Sequence, residues 1–157
     1  MSRVGLGFDA HAFDAGRSLI LGGVEIPDAL GLAGHSDADV VSHAIADALL
    51  GSAGLRDLGG TFPPDDRWKD ASSLEILRVT AMELSRAGWK IQNVDVTVVA
   101  ERPRITPHRN AMVERIAEAL GADPADVSIK ATTTDGMGFI GRAEGIAALA
   151  VASVERD

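Results

Sequence analysis

The chain has 157 residues, 46% hydrophobic and 24% charged, a balance that supports one folded domain over residues 1–157 and excludes a disordered chain. Its net charge of −8, and its 4% aromatic content without Tyr, argue against nucleic-acid partners held by backbone charge or base stacking. Cys is absent, which removes disulfide scaffolds, thiolate zinc sites and cysteine nucleophiles.

No run approaches the ~20 apolar residues that span a bilayer. The opening residues Met1-Ser2-Arg3-Val4-Gly5 do not begin a signal peptide. A cytoplasmic protein without a membrane partner is expected. An anionic ligand would have to be held by local cations, backbone N–H groups or metal.

In chain order, residues 4–8 read as a short strand. Two apolar runs joined by Gly22-Gly23 form a hairpin over 19–27. Ser36 is placed to cap a helix that runs to about Leu50, with Asp37 and Asp39 in its first turn. Val41, Ile45, Ala48 and Leu49 make its apolar stripe, and Asp39, His43 and Asp47 recur on the opposite face. Residues 51–70 are rich in Gly, Pro and Asp and predict a long functional loop. A second helix starts at the Ser72/Glu75 capping box and stops before Gly88, burying Leu74, Leu77, Ala81 and Leu84.

Residues 94–100 alternate as a half-buried strand. A third helix over 107–120 turns Met112, Ile116 and Leu120 inward and ends at Gly121. A strand at 127–131, a Gly-rich loop at 132–145 and a last strand at 146–154 complete the chain. The order predicts an α+β fold: a mixed or antiparallel sheet of four strands, helices on one face, and a small hairpin. The last strand is apolar on both sides. It is either a central strand of one chain or the face that meets another subunit.

Asp9 and His11 are two apart on a strand and so share a side, where they can hold one divalent ion. His43 is a candidate third ligand; the plainer alternative is a solvated helical face. Asp with two His and no Cys is a catalytic type of set that leaves a fourth position for a substrate oxygen. Asp47 is the candidate partner that fixes the His43 tautomer. His35 and Ser36 stand at a helix start, where anions are favoured. Asp57 and Asp65 could bond polyol hydroxyls, or be ordinary loop charges. Thr132, Thr133 and Thr134 lead into Gly136 and Gly138 either as a plain Gly-rich turn or as a donor cradle for a diphosphate, with Asp135 able to hold Mg²⁺. The spacing is not that of a Walker loop, and hydrolase and dinucleotide motifs are absent.

Taken together, these segments resemble the 2-C-methyl-D-erythritol 2,4-cyclodiphosphate synthase family of the non-mevalonate isoprenoid pathway. The resemblance runs through Gly7-Phe8-Asp9-Ala10-His11, Gly34-His35-Ser36-Asp37-Ala38-Asp39, Asp57-Leu58-Gly59, Lys130-Ala131-Thr132-Thr133-Thr134 and Gly138-Phe139-Ile140-Gly141-Arg142. It implies a homotrimer packed through its sheets, with active sites between subunits. The implied reaction is cyclisation of 4-diphosphocytidyl-2-C-methyl-D-erythritol 2-phosphate with release of CMP.

The resemblance further implies Zn²⁺ (or Mn²⁺ or Co²⁺) on Asp9, His11 and His43. Mg²⁺ or Mn²⁺ would bridge the diphosphate near Asp135, which stands where the family often has Glu. His35 and Thr133 match transition-state stabilisers, and Ser36 a phosphate contact. Asp57, Leu58, Gly59, Phe62, Asp65 and Asp66 match the methylerythritol phosphate site. Ala100, Pro103, Arg104, Ile105, Thr106, Ala131, Thr132, Thr133 and Thr134 match the cytidine diphosphate site, with Phe139 and Arg142 close by. Phe8, Arg142 and Glu144 match an axial cavity that takes an isoprenoid diphosphate in some members. A metal-dependent phosphodiesterase and a trimeric isoprenoid-diphosphate sensor are the competing readings.

Overall fold

The computed structural model describes residues 1–156. Strand β1 (Ser2–Asp14) opens the chain, followed by the hairpin β2 (Leu19–Leu21) and β3 (Val24–Ile26), and by β4 (Gly31–Leu32). Helices α1 (Val40–Ser52), α2 (Leu58–Thr61) and α3 (Ser73–Arg86) precede β5 (Lys90–Val99). Helix α4 (Arg109–Leu120), strand β6 (Val127–Thr132), helix α5 (Gly138–Gly141) and β7 (Gly145–Glu155) complete the order. The main sheet has five strands in the order β4-β1-β7-β5-β6, and β2-β3 forms a separate ribbon. All main-sheet pairings are antiparallel except the parallel β5–β6. The fold class is therefore the expected mixed α+β arrangement, and the fifth strand is the two-residue β4. None of the helices among the described residues is long and apolar enough to cross a membrane.

The packing of α1 on the sheet is unusually close, and β1 shows why. Its alternation places Gly5, Gly7, Asp9 and His11 on one side and Val4, Leu6 and Phe8 on the other. A Cβ at Gly5 would lie 2.0 Å from the Ala48 carbonyl oxygen, and one at Gly7 2.0 Å from that of Ala44. Only glycine lets the helix backbone come so near. On β7, Ala148, Ala150 and Ala152 are opposite Asp9, Gly7 and Gly5 and are fully buried. A row of Gly and Ala thus seats α1, and that row runs directly into Asp9 and His11.

The other face of the sheet is uncovered. Val4, Leu6 and Phe8 are 69%, 66% and 55% exposed, with Leu149 and Val151 beside them on β7. The first reading of the last strand holds, since β7 is central; its outer side is an apolar surface uncovered within the chain.

Several local expectations are corrected. The first strand extends far beyond 4–8, because its pairing with β7 continues from Ser2 to Ala12. Ser36 does not cap α1; Asp39 does, accepting from the Ser42 amide. Asp39 is fully buried and also accepts from the Gly22 and Gly23 amides at 2.9 and 2.8 Å, which ties the hairpin turn to the helix. The side of α1 carrying Asp39 and His43 is therefore interior, not a polar surface. Ser72 makes no side-chain cap on α3, and Glu75 pairs with Arg78 at 3.2 Å. The cap comes from Asp37, whose Oδ2 accepts from the Ser73 amide at 2.9 Å. The 51–70 segment is not structureless, because Asp57 caps α2 within it.

Gly7→Ala is expected to push α1 off the sheet and cost roughly 1–3 kcal/mol. Urea denaturation would show this as a lower midpoint at unchanged slope. A wild-type midpoint would mean that the helix contact relaxes freely.

Candidate metal centre and its cleft

Asp9 and His11 extend from β1 on the helix side, and His43 descends from α1 to meet them. Their ligand atoms all lie within 4.8 Å of one another. The Asp9 Oδ2 is 2.8 Å from His11 Nε2 and 3.1 Å from His43 Nδ1. The two ring nitrogens face each other at 3.3 Å.

The outer nitrogens are already engaged. His11 Nδ1–H donates to the Ala33 carbonyl at 2.7 Å, so Nε2 is the nitrogen turned inward, and its lone pair is free for a metal once its proton is lost. His43 Nε2 lies 2.9 Å from Ser73 Oγ and 3.1 Å from Ser36 Oγ. Two imidazole nitrogens converging on one carboxylate are compatible only where a proton or a metal cation lies between them. The donor set therefore fits a divalent metal of the zinc type, with both rings held from behind. Asp47, the expected partner of His43, instead accepts from the Leu58 amide at 3.1 Å and positions α2.

Charge follows the same geometry. Burial alone pushes the Asp9 carboxyl up, but the His11 and His43 rings that meet it reverse this and hold it well below the usual carboxylate range. Burial pulls His11 down, and the bond and charge of Asp9, with the Ala33 carbonyl, turn the net shift upward from 6.5.

His11, His35, Ser36, His43, Leu58, Phe62, Pro64, Trp68 and Ile76 line a cleft of about 160 Å³ over these ligands. Phe62 and Trp68 meet edge to face at 4.8 Å and wall it. His35 donates from Nε2–H to the Asp65 carbonyl at 2.7 Å, which fixes its ring at the rim. Of the other expected residues here, Asp57 Oδ1 accepts from the Gly60 amide at 2.7 Å, Gly59 lies within α2, and Asp65 Oδ1 accepts from the Arg67 amide at 3.1 Å. Asp66 is exposed beyond them.

A second groove of about 150 Å³ is lined by Ala100, Pro103, Arg104, Ile105, Thr106, Ala131, Thr132 and Thr133, together with Glu101. The parallel pairing of β5 with β6 ends both strands here, with Val99 opposite Thr132. Thr133 Oγ1–H donates to Asp135 Oδ1 at 3.1 Å, so two predicted site residues meet. The groove and the metal cleft share no lining residue. Phe139 is half exposed, and Arg142 pairs with Glu144 at 2.8 Å near the start of β7.

Three features escaped the sequence. Arg17 donates to the Gly34 carbonyl at 2.5 Å and also to that of Ser36, holding the His35 loop. Glu101 Oε1 accepts from the amide and hydroxyl of Thr134 at 2.9 and 3.1 Å; these bonds, the amide foremost, hold its carboxyl below its ordinary value. Ser73 approaches His43 from 30 residues away. No local motif announces contacts of such separation.

The fold and site define a small α+β protein in which Asp9, His11 and His43 form a triad able to hold a divalent metal beneath a cleft. The YgbB family profile matches residues 2–155, and the chain belongs to the YgbB family. It is 54% identical over 155 residues to 2-C-methyl-D-erythritol 2,4-cyclodiphosphate synthase of Syntrophomonas wolfei, covering 98% of this chain and 99% of that one. It is 57% identical over 152 residues to the synthase of Symbiobacterium thermophilum, covering 96% and 97%. Among solved structures, the bifunctional IspDF of Campylobacter jejuni superposes with a TM-score of 0.96 at 39% identity, over all of this chain and 43% of that one. The CDP complex of Plasmodium falciparum IspF gives 0.86 at 31% identity, over 99% and 97%.

Metal uptake requires His11 without its Nε2 proton, and Asp9 raises the titration of that ring from its ordinary 6.5. Zinc affinity is thus expected to fall as pH drops from about 8 to about 6, measured by competition with a chelating dye. In the metal-free protein the sign for stability is opposite. The His11–Asp9 pair stabilises fully below 6.5, and that contribution is lost as pH rises through the raised value. A pH-independent affinity would show that His11 is not a ligand.

Proposed function

We propose that the chain is a cyclase that converts 4-diphosphocytidyl-2-C-methyl-D-erythritol 2-phosphate to 2-C-methyl-D-erythritol 2,4-cyclodiphosphate and CMP. The observation that carries this reading is the convergence of Asp9, His11 and His43 beneath a cleft rimmed by His35. The named relatives support the substrate class.

In this reading an oxygen of the 2-phosphate attacks the β-phosphorus. The bond from that phosphorus to the oxygen on the CMP side breaks, and CMP leaves with the electron pair. The attacking oxygen is already ionised near neutral pH, so the protein supplies position and charge neutralisation, not a general base. A Zn²⁺ on Asp9, His11 and His43 would supply a Lewis acid for a diphosphate oxygen. His35 and Thr133 are proposed to donate to the developing charge, with Ser36 helping to hold phosphate. Asp57, Leu58, Gly59, Phe62, Asp65 and Asp66 are assigned to the methylerythritol end. Ala100, Pro103, Arg104, Ile105, Thr106, Ala131, Thr132 and Thr134 are assigned to the cytidine diphosphate, with Asp135 serving a Mg²⁺ on that diphosphate. Phe139 and Arg142 are placed beside it.

The two clefts share no residue, so one substrate that fills both is best served by neighbouring subunits. We therefore include a homotrimer, packed through the bare face of Val4, Leu6, Phe8, Leu149 and Val151, acting in the cytoplasm. Phe8, Arg142 and Glu144 would then lie toward the axis, where an isoprenoid diphosphate could bind.

Phosphorus NMR of the protein with the cytidyl substrate, Zn²⁺ and Mg²⁺ tests the reaction. A cyclic diphosphate appearing with CMP is expected. A linear product would make the site a phosphodiesterase, and ligand binding without any CMP release would favour a sensor.

Leu6→Glu tests the assembly. Light scattering is expected to show monomers that still bind zinc but turn over at least about 100-fold more slowly, since burying an unpaired carboxylate is strongly disfavoured. Full activity as a monomer would overturn the shared-site reading.

A further inference from the structure

We propose that Ser73 and Asp37 are positioning residues that select the tautomer of His43 and thereby the strength of the metal site. The inference rests on the Asp-His-His metal reading and deepens it.

The argument is one of counting hydrogens. Ser73 is the first residue of α3 and is fully buried. Its hydroxyl has a single proton. Asp37 Oδ1 lies in close contact with Ser73 Oγ, and Asp37 Oδ2 accepts from the Ser73 amide at 2.9 Å. A carboxylate only accepts, so the hydroxyl proton goes to Asp37. Toward His43 Nε2, 2.9 Å away, Ser73 Oγ has then only lone pairs to offer. His43 must therefore carry its proton on Nε2, and its Nδ1 lone pair is directed at Asp9 and His11. Ser36 Oγ, which already accepts from the Ala38 amide at 3.3 Å, stands 3.1 Å from the same Nε2.

Asp37 also accepts from the Asp39 amide at 3.1 Å. The carboxylate that starts α3 therefore also braces the residue that caps α1. Capping and metal tuning are combined in one group: the bonds that begin α3 place its first hydroxyl behind the ligand carried by α1.

Partners behind a ligating histidine are commonly worth 10–100-fold in metal affinity. The test measures zinc affinity of the full-length protein by chelator competition, for Ser73→Ala, the isosteric Asp37→Asn, Ser72→Ala and His43→Ala. Ser72 is exposed on the same helix turn and makes no side-chain cap. The expected result is a loss of roughly 10–100-fold for Ser73→Ala and Asp37→Asn, near-complete loss for His43→Ala and none for Ser72→Ala. Long-range ¹H–¹⁵N spectra should show His43 as the Nε2–H form in wild type and a mixture in Asp37→Asn, a change that mere loosening of α3 would not cause.

Wild-type affinity in Ser73→Ala and Asp37→Asn, with loss in His43→Ala, would overturn this role and leave the metal site standing. Retained affinity in His43→Ala would overturn the metal reading itself. Should Ser73→Ala not fold, Asp37→Asn decides alone.

Discussion

Everything in this molecule depends on how closely α1 lies on the sheet. Gly5 and Gly7 remove the side chains that would hold the helix away, and Ala148, Ala150 and Ala152 continue the same low surface on β7. Strand side chains alternate, so giving the inner positions to Gly and Ala leaves the large apolar residues to face outward. The same choice also decides where the site forms. Past Gly7 the inner row reaches Asp9 and His11, and α1 is near enough for His43 to meet them directly.

The ligands are rigid for a second reason. His11 is held from behind by a backbone carbonyl and His43 by two buried serines. Each ring is left with one nitrogen directed inward. The resulting crowd of lone pairs around the Asp9 carboxylate is unfavourable without a proton or a metal cation, so the fold stores a preference for positive charge at that point. The depressed Asp9 and raised His11 titrations express that preference in the metal-free chain.

The second groove is built by a different device. Parallel pairing brings the ends of β5 and β6 side by side, and Glu101 ties the loop after β6 to the loop after β5 through Thr134. The bare sheet face and two separate half-sites point the same way. Apolar surface of this extent marks a place where another protein surface can pack.

Much of this was legible in the sequence, because it depends on period and composition. The hairpin at Gly22-Gly23, the three long helices and the alternation of β5 follow from local conformational preference. The pairing of Asp9 with His11 follows from strand geometry, and the meeting of Thr133 with Asp135 from their nearness in the chain. The cap of α1 was misassigned to Ser36 because Asp39 offers the same local chemistry and owes its success to Gly22 and Gly23, far away in the chain. Asp47 was misassigned as the partner of His43 because helical spacing cannot tell which neighbour another helix brings; α3 brings Ser73. The sequence by itself determined which residues are able to bind metal, phosphate and an apolar core, since that is a property of each side chain and its near neighbours. Tertiary structure alone decided which of them meet, because contacts between α1, β1 and α3 depend on the depth of packing, to which no short stretch of chain has access.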